Sequence, residues 1–162
     1  MLYQMREKMI CFGDDYTIRD ADGNDVYFVD GRVFAIGDKL SFQDMQGNEL
    51  ARIRQRLLTI GKTYEITIGG QTTVVHKHLF TLLRCKFSVD VPGPNDLEAV
   101  GSLLDMEYDF RDSADRVVAS VSKRWFAIRD TYGVEIADGA DPVTILASAI
   151  VIDLCCHGDK KD

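Results

Sequence analysis

Residues 142–156 read Pro142-Val-Thr-Ile-Leu-Ala-Ser-Ala-Ile-Val-Ile-Asp-Leu-Cys-Cys156. Asp141 suits a helix N-cap, Pro142 suits the first turn, and His157-Gly158 supplies a stop, so this stretch is predicted to be a helix. Its side chains leave almost no polar face, and a helix that is apolar all round must be surrounded by protein or by lipid. At about 1.5 Å per residue it spans about 22 Å, less than the roughly 30 Å hydrocarbon layer of a bilayer. We therefore expect protein to enclose this helix.

The residues before the helix alternate apolar and polar side chains over short segments that end in turn residues. One pattern occurs in four copies, at residues 16–26, 40–50, 108–118 and 126–136. Each copy reads apolar-x-apolar-x-Asp, then Gly or Asp three residues later, then an apolar residue after three more. The alternation indicates half-buried strands, and Asp-x-x-Gly closes a short turn between them. A bulge at such a turn would change which side chains of the returning strand point inward. The sequence therefore does not decide which face of each returning strand is buried.

A further hairpin is predicted at Gly69-Gly70, between residues 64–68 and 72–75. Other strand candidates are residues 8–12, 32–36, 51–59, 80–89 and 100–104. About a dozen short antiparallel strands need their edges covered, and closure into a barrel achieves this. A barrel of that size leaves an interior that the side chains of its wall do not fill.

The predicted fold is therefore mainly β. It is a closed antiparallel barrel of about twelve strands around the apolar C-terminal helix. We expect one domain over residues 1–158, followed by a charged tail at residues 159–162.

Composition narrows the classes of protein to consider. The chain has 162 residues, 46% of them hydrophobic, and a net charge of −7, which disfavours general nucleic-acid binding. The four cysteines fit neither a CxxC pair nor a disulfide scaffold, so thiols in a cytoplasmic protein are expected. These cysteines are Cys11, Cys85, Cys155 and Cys156. The charged residues 6–8 interrupt the apolar N-terminal segment, and no signal-peptide core is expected there.

Four segments and the terminal helix resemble the LURP-one-related family, whose fold is similar to the C-terminal domain of Tubby and to the phospholipid scramblases. The segments are Tyr3–Lys8, Phe12–Asp20, Asp44–Arg54 and Lys123–Tyr132. The resemblance implies a closed twelve-stranded barrel around one C-terminal helix, and a chain this short is typical of a bacterial member. Tubby-like domains bind phosphoinositide headgroups through basic residues on the barrel wall, and scramblases are associated with lipid and calcium. No Tubby lipid-binding residue is carried over to this sequence.

The strongest binding candidate is the basic segment 52–56, in which arginines occupy alternate positions. Alternation along a strand places the three guanidinium groups on one face and Ala51, Ile53 and Leu57 on the other. Arginine forks bind phosphate oxygens bidentately, which makes a local anion site the functional hypothesis. The candidate ligand-binding residues are Arg52, Arg54, Arg56, Lys62, Lys123 and Arg124. The alternative is a solvated outer face whose arginines pair with neighbouring carboxylates.

Other motifs favour structural roles. Residues 20–25 resemble a calcium loop, but Gly23 comes at the fourth position and Gly31 stands where glutamate is needed, so a hairpin turn is predicted. His76 and His78 share one strand face, which is half of a metal site at most, and structural histidines are favoured. The sequence has no nucleophile elbow, P-loop, dinucleotide glycine motif or zinc-protease motif. No metal and no cofactor are expected.

The sequence thus favours a soluble, non-catalytic barrel. Its expected activity is binding an anionic phospholipid or phosphoinositide-like headgroup at a membrane surface, or acting as a regulatory module. The alternative is a protein–protein interaction scaffold without a small ligand. An enzyme ranks third, because the central helix would occupy the cavity that an active site needs. Neither a nucleic-acid partner nor a transmembrane segment is expected.

Overall fold

The computed structural model describes residues 1–10, 13–31, 39–59, 61–78, 86–126 and 131–157, without the side chains of residues 7–10, 13–14 and 157. These residues form twelve strands and one helix, α1 (Pro142–His157). The strands are β1 (Leu2–Ile10), β2 (Gly13–Arg19), β3 (Asp25–Asp30), β4 (Lys39–Asp44), β5 (Glu49–Arg56), β6 (Thr63–Ile68), β7 (Gln71–His78), β8 (Lys86–Asp90), β9 (Leu97–Ser102), β10 (Glu107–Arg111), β11 (Val117–Ser122) and β12 (Thr131–Ile136).

The strands close into a barrel in which spatial order follows chain order. Every neighbouring pair is antiparallel, and β1 completes the ring by pairing with both β2 and β12. Closure leaves no edge strand exposed, which confirms the predicted mainly-β barrel around a C-terminal helix.

Some predicted strand limits were wrong. The first strand begins at Leu2 instead of Lys8, β9 begins at Leu97 instead of Val100, and β5 ends at Arg56 instead of Thr59. Short strands have weakly marked ends, because backbone pairing with a neighbour decides where a strand stops. The strand predicted at 32–36 and the first part of that at 80–89 lie outside the described residues.

The helix α1 fills the barrel. Asp141 caps its start: the backbone N–H of Thr144 donates to Asp141 Oδ2 at 3.1 Å, and that of Ile145 donates to the Asp141 carbonyl at 3.2 Å. Almost every apolar side chain of α1 is buried. The buried apolar residues are Ile145, Leu146, Ala147, Ala149, Ile150, Val151, Ile152, Leu154 and Cys155. In the part of the chain that the structure describes, no helix has the length and apolar character that a membrane crossing needs.

The helix carries a buried carboxylate near its end. Asp153 is buried, and its Oδ2 accepts a hydrogen bond from the Tyr16 hydroxyl of β2 at 2.9 Å. Burial, with smaller contributions from Asp153 and Cys156, raises the pKa of the nearby Tyr108 hydroxyl. The Tyr16–Asp153 bond ties the last turns of the helix to the barrel wall.

The barrel has two different ends. We call the end where α1 begins the turn end; it also carries the β2–β3, β4–β5, β6–β7, β8–β9 and β10–β11 connections. We call the other the far end; it carries the connections that follow β1, β3, β5, β7, β9 and β11.

Three turns at the turn end share one construction. In the first, Asp20 Oδ1 accepts hydrogen bonds from the backbone N–H groups of Asp22 at 3.0 Å and Asn24 at 2.9 Å. Asp44 and Asp112 accept the same pair of bonds at 2.9–3.0 Å in their own turns. Hydrogen bonds to the ionised carboxylates lower the pKa of all three aspartates. The largest cause is the backbone N–H four residues on for Asp20 and Asp112, and the Asn48 side-chain amide, 2.8 Å from Asp44 Oδ2, for Asp44.

A bulge follows each of these turns. Ile18 faces Tyr27 across β2 and β3, whereas Arg19 faces Asp25, so Val26 is the extra residue. Leu50 and Val118 hold the equivalent positions in the other two hairpins. All three extra residues are partly buried and pack against the core. The last apolar member of the repeated pattern is therefore the bulge residue, which settles the strand facing that the sequence left open.

The fourth copy of the pattern was predicted wrongly as a hairpin. Gly133 lies inside β12, and Asp130 lies outside the described residues. A Cβ atom at Gly133 would come within 2.5 Å of Trp125 Cε3 and 2.9 Å of Phe126 Cε2. Glycine stands here because these two rings fold back onto the strand.

Ile150→Asp is expected to unfold the protein. Ile150 has no exposed surface, and an unpaired charge in its place should cost about 4 kcal/mol or more, a large part of the stability of a domain. Val117→Asp, at a 44% exposed position facing Arg111, is the matched control and should melt like the parent chain. Circular dichroism melts compare the two, and a folded Ile150→Asp protein would contradict the enclosed helix.

Gly133→Ala should displace the Trp125 ring. The added methyl group overlaps that ring, and the overpacking is expected to destabilise the fold by about 1–3 kcal/mol. Trp125 is the only tryptophan of the chain, so its emission reports the displacement directly as a red shift. Gly47→Ala is the control, because a methyl group there meets open space; its backbone strain should lower the melting temperature and leave the emission unchanged. Unchanged emission in Gly133→Ala would contradict the packing.

Asp44→Asn should destabilise the protein near pH 7, lowering the melting temperature by a few degrees. The folded-state pKa of Asp44 is lowered, so its stabilising effect is present above the unfolded pKa of about 3.9 and is lost as pH falls through the folded value. Melts from neutral to strongly acidic pH should therefore show the two proteins converging below about pH 4. Asp22→Asn removes a charge from a carboxylate that accepts none of these bonds, and at neutral pH it should melt like the parent chain. A constant Asp44→Asn difference at all pH values would refute this account.

Candidate functional site

The basic segment of β5 faces outward as predicted. Ala51 and Ile53 are buried, and the arginines at 52, 54 and 56 are exposed. The prediction for Leu57 was wrong: its side chain is 51% exposed, because β5 ends at Arg56 and Leu57 already belongs to the connection toward β6.

Two of these arginines line what we call the wall groove, a depression of about 420 Å³ on the outer face of β5 and β6. Its lining residues are Glu49, Leu50, Ala51, Arg52, Arg54, Glu65, Thr67, Gly69 and Gly70. Arg52 Nη2 lies 2.9 Å from Glu49 Oε1, and Arg54 stands opposite Glu65 in the strand register. Two arginines and two glutamates offset each other, so the wall groove has little net attraction for an anion.

The third arginine belongs to a different place, which we call the rim depression. It is about 330 Å³ in volume and lies at the far end, where β5 and β6 meet β7. Its lining residues are Gln55, Arg56, Leu57, Leu58, Thr59, Gly61, Lys62 and Lys77. These residues include three cations and no carboxylate.

Each cation of the rim depression is positioned by the sheet. Arg56 Nε lies 2.6 Å from Glu65 Oε1, which holds the guanidinium at the end of β5. The backbone N–H of Lys77 donates to the carbonyl of Lys62 at 3.1 Å, which places the two lysines side by side on neighbouring strands. The arrangement combines a guanidinium fork with two ammonium groups, and these groups suit the oxygens of a phosphate.

Lys77 was missed by sequence reasoning, although a signal for it existed. The predicted two-residue turn at Gly69-Gly70 implies a register in which Thr63 faces His76 and Lys62 faces Lys77. Extending the hairpin beyond its predicted strands would have paired the two lysines.

The second basic candidate does not join this site. Lys123 and Arg124 follow β11, which lies six strands from β5 in either direction around the ring, on the opposite wall. Arg124 Nε lies 3.8 Å from Glu107 Oε1, and its side chain is otherwise exposed. The two basic groups share the far end of the barrel, but they form separate patches.

The histidine pair has a structural role. His76 Nδ1 lies 2.7 Å from the Thr63 hydroxyl oxygen, and His78 Nε2 lies 2.9 Å from that of Ser88, so each ring bonds to a neighbouring strand. The described residues contain no group of three potential metal ligands. Among them, Cys155 and Cys156 form no disulfide, and Cys11 and Cys85 lie outside the described residues.

A further cavity of about 640 Å³ lies at the turn end, beside the start of α1. Apolar side chains line much of it, together with Asp112, Asp138 and Asp141. Its cation, Arg116, lies 2.8 Å from Asp112. This cavity is unsuited to an anion, because carboxylates outnumber the cation.

A closed barrel of twelve strands around one C-terminal helix defines the Tubby-like class of barrel proteins. Comparisons with known proteins refine this class. The family model described as LURP-one-related matches residues 1–153, and the chain belongs to this family. The uncharacterized protein YxjI of Bacillus subtilis (strain 168) is 35% identical over 158 residues, covering 98% of this chain and 95% of that protein. This relative supports the expected bacterial membership.

The fold is also found in a solved structure. An X-ray structure of a protein from Arabidopsis thaliana superposes with a TM-score of 0.63 at 18% sequence identity, covering 93% of this chain and 88% of that one. At this identity the likeness concerns the fold alone.

Proposed function

We propose that this protein is a non-catalytic cytoplasmic module that binds the phosphate of an anionic phospholipid headgroup at the rim depression. The observation that carries the proposal is the convergence of Arg56, Lys62 and Lys77 on one depression whose described lining has no carboxylate. The resemblance to Tubby-like domains, which bind phosphoinositide headgroups through basic barrel residues, supports the same chemistry.

Because the whole chain is acidic, anion binding depends on how cations and carboxylates are arranged locally. A net charge of −7 repels anions at long range, so binding depends on a site where cations outnumber carboxylates. The described lining of the rim depression has three cations and no carboxylate, with Glu65 pairing with Arg56 from outside the lining, whereas Glu49 and Glu65 both line the wall groove. Of the residues proposed from sequence, Arg56 and Lys62 therefore belong to the binding site, and Lys77 completes it.

The combined change Arg56→Gln, Lys62→Gln, Lys77→Gln should abolish binding to anionic vesicles. A basic side chain near an anionic membrane contributes about 1 kcal/mol, so losing three should weaken binding by about 100-fold. Flotation with phosphatidylcholine vesicles, with and without phosphatidylserine, measures the loss. Binding by the parent chain should weaken as salt rises, because screening weakens charge contacts. The melting temperature should change little, since the Arg56–Glu65 pair is exposed.

The matched control is Arg52→Gln, Arg54→Gln, which removes cations from the same strand but from the wall groove. It should retain most of the vesicle binding. The opposite result, loss in the control and retention in the triple variant, would move the site to the wall groove. If the parent chain binds no vesicles but retains a reproducible protein partner, the interaction-scaffold alternative replaces this proposal.

A further inference from the structure

Two leucines project from the far end next to the rim depression. Leu57 is 51% exposed and Leu58 is fully exposed, and both also line the depression. Single exposed leucines are common, but two consecutive ones at a loop tip present a continuous apolar surface to solvent. We call this pair the leucine tip.

Folding alone does not explain Leu58. Its φ angle is 63°, in the left-handed region where glycine and asparagine are favoured and where a leucine costs about 1–2 kcal/mol. The side chain buries nothing in return, because it is fully exposed. A strained and exposed apolar residue beside a cationic site is the kind of outlier that points to function.

The charges of the two ends identify the surface that the leucine tip would meet. The connections of the turn end carry seven aspartates and one arginine, Arg116. The described connections of the far end carry three cations and one carboxylate, namely Lys62, Lys123, Arg124 and Asp105. An anionic surface therefore attracts the far end and repels the turn end, which orients the barrel before contact.

Apolar groups on the opposite wall share this end. Leu104 follows β9 and is 53% exposed, and Trp125 follows β11 and is 43% exposed. Leucine and tryptophan beside lysine and arginine are the residue types of a membrane interface, where apolar side chains enter the acyl boundary and cations contact phosphates.

We propose that the far end docks onto an anionic lipid bilayer, with the leucine tip inserted below the headgroups and Arg56, Lys62 and Lys77 at the phosphate level. This inference rests on the proposed headgroup binding and adds the occupant and the orientation. A bilayer is the partner that fits this surface, because the leucine tip adjoins a depression whose described lining has cations and no carboxylate.

A tryptophan at position 58 reports insertion directly. Leu58→Trp should be quenched by brominated phosphatidylcholine in vesicles that also contain phosphatidylserine. Met45→Trp is the matched control: Met45 is 49% exposed at the turn end, and a tryptophan there should keep its fluorescence. The native Trp125 contributes equally to both proteins, so the difference between them measures position 58.

Leu57→Asn, Leu58→Asn removes the apolar surface and leaves the three cations. Asparagine suits the left-handed backbone at position 58, so the variant should fold and melt no lower than the parent chain. Its affinity for phosphatidylserine vesicles should fall at least about tenfold, the effect expected for losing the burial of one leucine side chain. Binding of soluble glycerophosphoserine should fall by a smaller factor than vesicle binding in this variant, because the soluble headgroup has no acyl chains for the leucines to contact, and it should be lost in the triple variant without Arg56, Lys62 and Lys77.

The outcomes separate the two proposals. If the parent chain binds neither vesicles nor glycerophosphoserine, both the headgroup proposal and the insertion proposal are wrong. Normal vesicle binding by Leu57→Asn, Leu58→Asn, together with an unquenched Leu58→Trp, overturns only the insertion. Sedimentation in lipid-free buffer tests another occupant: a dimer of the parent chain that becomes a monomer on Leu57→Asn, Leu58→Asn would assign the leucine tip to self-association instead.

Discussion

The structure depends on the mutual burial of α1 and the barrel wall. A ring of twelve strands encloses more volume than its inward side chains fill, and a helix without a polar face has no stable place in water. The helix fills the interior of the barrel, and the barrel shields the apolar helix from water. Removal of either would leave a large apolar surface exposed. The same packing decides where function resides. The buried side chains of α1 occupy the interior, and the depressions described among the placed residues lie on the outer wall and at the two ends.

The turns that shape the barrel also give it an electrical polarity. Asp20, Asp44 and Asp112 hold tight turns by accepting backbone hydrogen bonds as carboxylates, and each turn is followed by a bulge that strengthens the local twist. A folding requirement thus places negative charge at the turn end. Cations gather at the far end, where these turns are absent among the described connections. The polarity follows from topology as much as from composition, because antiparallel hairpins send successive turns to alternate ends.

Sequence reasoning predicted the helix, the barrel and the outward face of the β5 arginines, because these features follow from periodicity and capping over many residues. It did not predict the convergence at the site. Arg56, Lys62 and Lys77 meet through the register of three strands, and Lys123 is separated from them by the order of the ring. Gly133 was read as a turn residue, since no local pattern distinguishes a turn glycine from one that accommodates the Trp125 ring. Which strands pair, and which side chains pack against a backbone position, are decided only when the whole sheet assembles.

The position of the candidate site follows from how charges neutralise one another on a sheet. Along the middle of a strand, an arginine has neighbours on both sides, and in an acidic chain one of them is commonly a carboxylate, as Glu65 is for Arg54. Where strands end, cross-strand neighbours are missing on one side, and at the end of β5 the described lining of the rim depression holds three cations and no carboxylate, with Arg56 also paired to Glu65. The leucine tip lies just beyond the last pair of β5, at the same boundary. The proposed anion site therefore lies at the rim of the barrel, where cations from three strands come together and apolar side chains project beside them.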